Sequence, residues 1–177
     1  MTDETKGLFY FCACISSAIL FATAIYRVNS ISVPTPDVYC TDHSYGARNA
    51  PLLNSVENIY AARALIMAGC DVNASDTDGY TPLHMAAMRP YDSYAPLVEL
   101  LIKNGADINA RENIFGVTPL HIASNVSSAR LLLAAGADIN ARDAQGDTPL
   151  CIARSVQEYA VAGYLRGRGG FCQKKFE

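Results

Sequence analysis

Two short motifs recur in phase along the chain, and their spacing restricts the fold more than any other feature. The first is Thr81-Pro82-Leu83-His84-Met85-Ala86-Ala87, copied at Thr118-Pro119-Leu120-His121-Ile122-Ala123 and at Thr148-Pro149-Leu150-Cys151-Ile152-Ala153, with a weaker form at Ala50-Pro51-Leu52-Leu53. The copies start 31, 37 and 30 residues apart, at 50, 81, 118 and 148. The second is Gly69-Cys70-Asp71-Val72-Asn73-Ala74, copied at Gly105-Ala106-Asp107-Ile108-Asn109-Ala110 and Gly136-Ala137-Asp138-Ile139-Asn140-Ala141. A glycine turn follows each, at Gly79, Gly116 and Gly146. A unit of this size cannot bury its own apolar face, so the units must stack on one another.

Local chemistry agrees with that reading. Thr81, Thr118 and Thr148 suit helix N-caps, and the prolines behind them suit the first helical turn. Gly69, Gly105, Gly136 and Gly169 follow apolar runs and suit left-handed C-caps. Two short helices fit between cap and glycine. The first carries small residues, Ala86-Ala87 or Ala123, for close packing. The second carries Leu97, Val98, Leu100, Leu101 and Ile102, or Leu131, Leu132 and Leu133.

On these motifs the chain resembles the ankyrin-repeat family over roughly Arg48 to Gly170. The resemblance implies an all-α solenoid of about four helix-turn-helix repeats with hairpin-like loops, at about 48–79, 80–116, 117–146 and 147–170, then a C-terminal tail at 171–177. The first and last repeats are degenerate, as ends that face water tend to be. Repeat two is longer at Arg89-Pro90-Tyr91-Asp92-Ser93-Tyr94-Ala95-Pro96, and its exit loop Glu112-Asn113-Ile114-Phe115-Gly116 has one extra residue. Repeats one and three are short between their helices.

Ahead of the repeats, Leu8 to Tyr26 is a run of 19 residues without a charge. It is long enough for an N-terminal hydrophobic helix that spans a bilayer. Ala22-Thr23-Ala24 equally fits a signal-peptide cleavage site. Residues 1–28 are therefore either a signal peptide or a transmembrane anchor. Residues 29–47, with Pro34 and Pro36, read as a linker. Both export readings place the repeats outside the cytoplasm, on the periplasmic or extracellular side, anchored or released. Lys6 and Arg27 flank the run and leave its orientation balanced.

The motifs that carry chemistry are absent or structural. A formal charge of −3 without a basic stripe argues against nucleic acid. Arg166, Arg168, Lys174 and Lys175 read as a solvated basic tail. The family uses the histidine at 84 and 121 for hydrogen bonds to backbone, and no third ligand recurs with them to hold a metal. There is no nucleophile elbow and no phosphate-binding glycine loop. The Asp-x-Asn pairs lack the later ligands of a calcium loop. Six cysteines include no C-x-x-C pair. Cys70 and Cys151 fall at packing positions, which leaves Cys40 and Cys172 as the pair available for a disulfide. The chain is expected to have no catalytic residue, cofactor, metal or small-molecule substrate.

What remains is binding to another protein. In the family, partners lie on the loop tips and first helices. Carried over by position, the partner-binding residues here are Thr77, Asp78, Tyr80, Met88, Arg89, Tyr91, Tyr94, Asn113, Ile114, Phe115, Val117, Asn125, Ala144, Gln145 and Asp147. Ile114 and Phe115 form an apolar pair at an exposed turn, unless Phe115 tucks under the next repeat. Asp76, Asp78, Glu112, Asp143 and Asp147 make the tips acidic, which reads either as a preference for a basic partner or as solvated loop charges. The expected function is a non-catalytic binder or inhibitor of a toxin or enzyme outside the cytoplasm. The alternatives are a membrane scaffold or stress-protective factor held by residues 8–26, or a secreted effector binding host proteins.

The leucine seams generate the first prediction. Leu101→Asp should unfold much of the array, since an unpaired buried carboxylate costs several kcal/mol against a total of about 5–15 for such a domain. Circular dichroism melting checks this; a variant as stable as the parent would refute the helix assignment there.

Overall fold

The computed structural model describes residue 52 and residues 58–172. The hydrophobic run, the linker and most of the C-terminal tail lie outside the described residues. Within residues 58–172 six α-helices follow one another: α1 (Ile59–Met67), α2 (Pro82–Ala87), α3 (Ala95–Lys103), α4 (Val126–Ala134), α5 (Pro149–Ser155) and α6 (Tyr159–Gly167). No strand occurs among the described residues, in keeping with an all-helical repeat array. None of these helices is long and apolar enough to cross a membrane.

Capping explains most of the helix starts. The Thr81 and Thr148 side chains accept from the backbone N–H groups of His84 and Cys151, with proline next in sequence. Asn58 and Asn125 cap α1 and α4 in the same way. Each outer helix ends on a glycine in the left-handed region: Gly69, Gly105, Gly136 and Gly169, with φ of 88°, 87°, 97° and 94°. The residue after each glycine then donates back into the helix, as from Ala106 to the Leu101 carbonyl at 3.1 Å.

Repeat three departs from the expected helix pair. Residues 119–122 form a turn, not a helix. The cause is its short length. Asn125 begins α4 only two residues after Ala123, so no room remains for a second helical turn before the outer helix starts. In repeat two the long insertion adds a 3₁₀ turn, Asp92–Tyr94, which lies against α3 and α4.

The core is a row of leucines, one or two per layer: Leu52, Leu65, Leu83, Leu101, Leu120, Leu132, Leu150 and Leu165 are buried. Ala62, Ala86, Ala87 and Ala129 are fully buried beside them and let neighbouring helices approach closely.

A buried histidine ties each central repeat to the next. The Thr81 N–H donates to His84 Nδ1 at 3.2 Å, so the proton sits on Nε2, which donates to the Val117 carbonyl at 3.1 Å. His121 repeats this geometry between the Thr118 N–H and the Asp147 carbonyl.

The asparagines form a second ladder. Asn73 donates to the Gly105 carbonyl and accepts from the Asp107 N–H; Asn109 does the same with Gly136 and Asp138. Asn140 accepts from the Phe171 N–H, and Thr148 Oγ1 donates to the Phe171 carbonyl. The packed unit thus runs on through Cys172. Cys172 is bonded to Cys151, with Cα atoms 5.0 Å apart, and so is not available to Cys40 as the sequence suggested. Cys70 is disulfide-bonded too, rather than merely packed. Spacing in the sequence concealed the Cys151–Cys172 pair, because only folding of the segment back from Gly169 brings the two together.

Burial holds the pKa of both His84 and His121 below the ordinary 6.5, outweighing the carbonyls that favour the charged ring. A lowered folded pKa means that the stability these rings lend is complete above 6.5 and is lost as the pH falls below it. The melting temperature should therefore fall as the pH drops from about 7.5 to about 5.5, and His84→Gln with His121→Gln should flatten that slope. Equal slopes for parent and double variant would show that the histidines do not carry the effect.

Candidate binding face

The loops between repeats form three fingers, each closed by a carboxylate at its base. In the first, Asp76 Oδ1 accepts from the N–H groups of Asp78 and Tyr80 at 3.0 and 2.9 Å. In the third, Asp143 Oδ1 accepts from Gln145 and Asp147 at 2.9 and 2.8 Å. The middle finger has one more residue, and a glutamate stands at its base. Glu112 accepts from Ile114 at 2.7 Å, and also from Phe115 and Val117. The extra methylene spans the longer loop.

Glu112 is only 3% exposed. Burial alone would raise its pKa, but the N–H groups of Ile114, Val117, Phe115 and Gly116 together hold the carboxyl below the ordinary 4.5. It is therefore not one of the surface charges at the tips, as the sequence suggested. Its charge is spent on the loop backbone.

The fingers are also bonded to one another. The Asn113 N–H donates to the Asp78 carbonyl at 2.8 Å, and the Ala144 N–H to the Phe115 carbonyl at 2.7 Å. Arg111 Nη1 donates to the carbonyls of Gly116 and Arg142. Gly79, at φ +88°, sits so close to the middle finger that a Cβ would lie 2.8 Å from the Asn113 nitrogen.

From this bonded row Ile114 and Phe115 project, 57% and 48% exposed. Phe115 does not tuck under the next repeat. Thr77, Asp78, Asn113, Ala144 and Gln145 are exposed along the same row of tips, and Tyr80 and Asp147 are half-buried at its foot. Tyr80 packs edge-on against His84, its ring 5.7 Å away.

The remaining sites fall elsewhere. Val117 is buried, its carbonyl taken by His84, so it has no surface to offer a partner. Asn125 is buried as well; it caps α4 and donates to the Arg89 carbonyl at 2.7 Å. Met88, Arg89, Tyr91 and Tyr94 lie beyond the C-terminal end of α2, whereas the fingers adjoin its N-terminal end. The helix separates the two groups by about 9 Å at 1.5 Å per residue. Met88 and Tyr91 are exposed, while Tyr94 is half-buried under the Arg89 guanidinium, 5.7 Å from its ring. Glu112 holds the middle finger instead of charging its tip, and the signal for this was in the sequence: it replaces Asp76 and Asp143 in the one loop that is longer.

Among the described residues no group of three His, Cys, Asp or Glu is placed to hold a metal ion. A family model for ankyrin repeats, three copies long, matches residues 52–143 and 92–175. Alpha-latrotoxin-Lg1a of Latrodectus geometricus is 40% identical over 104 residues, 56% of this chain and 7% of that protein. A fem-1 homolog of Drosophila melanogaster is 31% identical over 110 residues, 55% of this chain and 16% of its own length. Ankyrin repeat and SOCS box protein 6 of Mus musculus is 42% identical over 65 residues, 36% of this chain and 15% of its own. The chain thus spans a small fraction of the length of these relatives.

The middle finger yields a prediction. Glu112→Gln should lower stability by about 1.5–3 kcal/mol at neutral pH, the range for hydrogen bonds to a charged group. Because the folded pKa is lowered, the carboxylate's contribution is complete above 4.5 and lost as the pH falls through its lower folded value. The gap between the two melting curves should close in acid. Coincident curves at neutral pH would mean that the carboxylate does not hold the loop.

Proposed function

The chain belongs to the ankyrin-repeat family, and on that premise we propose that it grips a partner protein outside the cytoplasm with the tip of its middle finger. Ankyrin repeats are protein–protein interaction modules, so binding itself needs no further assumption. The observation that carries the choice of site is the Ile114-Phe115 pair. It is apolar and exposed, and its backbone is held by Glu112 and by the neighbouring fingers. A preorganised aromatic loses little conformational freedom on binding, and aromatics dominate binding hot spots. Asp78, exposed beside it, favours a partner whose apolar pocket has a basic rim.

Two features support the location. The Cys151–Cys172 disulfide suits an oxidising compartment, since cytosolic thiols are kept reduced. The charge-free run Leu8 to Tyr26 suits export. In such a compartment the reading is a non-catalytic binder or inhibitor of an enzyme or toxin that reaches it. If the run stays attached, the same run favours a membrane-associated scaffold.

The full chain, tagged, should fractionate with membranes or be shortened near Ala24, and should capture a partner from that fraction. Phe115→Ala should weaken capture by about 2 kcal/mol, roughly thirtyfold, with an unchanged melting temperature. Tyr91→Ala, at the other end of α2, should bind like the parent. An intact chain in the soluble cytosol would overturn the location, and parental affinity in Phe115→Ala would overturn the site.

A further inference from the structure

We propose that the C-terminal end of the array is a second docking surface, for an acidic segment of a partner protein whose carboxylates enter two arginine-flanked clefts on either side of α6. The clefts share that helix. Arg166 lies on one face of it with Tyr159 and Gly163, and Arg168, which follows its last residue, lies beside Tyr164 on another side. The first cleft, about 480 Å³, opens between α5 and α6, where Arg154 joins Arg166 over the Cys151–Cys172 disulfide. The second, about 320 Å³, opens between α4 and α6, where Arg130 joins Arg168 over Leu133 and Ile139. The Arg168 guanidinium stands 5.3 Å from the Tyr164 ring centroid, which orients it.

Among the described residues no acid lines either cleft. Glu158, four positions past Arg154, precedes α6 at the end away from Arg166, about 12 Å from it at 1.5 Å per helical residue. No described residue stacks on this end, and Val156 and Tyr159 are exposed across it, 60% and 72%. The basic residues that the sequence presents as a solvated tail are thus partly built into the fold, joined by Arg130 and Arg154 from other helices. Charge complementarity selects an anionic occupant, and a guanidinium matches a carboxylate with two parallel hydrogen bonds. Concavity selects the source: clefts of this volume admit single side chains, whereas a bilayer surface is flat at this scale. The apolar floors and exposed Tyr159 favour carboxylates interleaved with apolar side chains.

The test uses the full chain in mild detergent and a fluorescent peptide of alternating Glu and Leu, with its Gln-Leu counterpart. Anisotropy should show binding of the Glu peptide alone. Arg166→Glu with Arg168→Glu should weaken it by at least about tenfold, as expected for reversal of paired charges. Arg154→Gln with Arg166→Gln should weaken it less. Arg166 and Arg168 are exposed, so charge reversal there should leave the melting temperature unchanged. Phe115→Ala should leave peptide binding intact, which separates this surface from the finger. Failure of the Glu peptide to bind, or binding that survives charge reversal, overturns the proposal. So does binding to phosphatidylserine vesicles without peptide binding, which would assign the clefts to a membrane. Self-association abolished by the same substitutions would assign them to a second copy and overturn it equally.

Discussion

One buried hydrogen-bonding ring holds successive repeats in register. His84 is wholly buried, yet both its ring nitrogens are matched, one by the Thr81 N–H that starts α2 and one by the Val117 carbonyl that leads into the following repeat. A single side chain therefore joins the start of one repeat to the backbone of the next. A buried backbone group left unmatched would cost about 1–3 kcal/mol, so the alternative registers are penalised twice at each junction. His121 repeats the arrangement. Where no further repeat follows among the described residues, Cys151 takes the histidine's position and a covalent bond to Cys172 closes the layer.

The fingers follow from that register. Once the repeats are in phase, each loop lies within hydrogen-bonding reach of its neighbour, and the tips join through Asp78, Asn113, Phe115 and Ala144. Carboxylates at the finger bases then turn acidic residues inward. The net result is a rigid row whose exposed chemistry differs from its composition: a glutamate is hidden, and an isoleucine and a phenylalanine are displayed. The opposite charge collects at the far end of the array, where arginines from three helices meet around α6.

Much of this was legible in the residues. The phase of the two motifs predicts the stacking, the Thr-Pro pairs predict the starts of α2 and α5, and the glycines predict the helix ends. The exposed Ile114-Phe115 pair follows from an apolar insertion in a loop. Other features were not legible. Val117 and Asn125 look like loop residues of a binding face, but both face inward because their polar groups serve neighbouring elements. The tyrosines of the insertion look close to Phe115 in sequence, and the intervening helix α2 carries them to its other end. Repeat three has the motif for an inner helix and makes only a turn, because Asn125 starts the next helix too soon.

The sequence by itself determined the repeat, its phase, its caps and its apolar seam, since these depend on residues within one turn or one period of each other. Only the tertiary structure decided which cysteine meets Cys172 and which arginines share a cleft. Those outcomes depend on distances between residues well separated in the chain, as with the 21 positions between Cys151 and Cys172. Stacking sets such distances, and no local pattern encodes them.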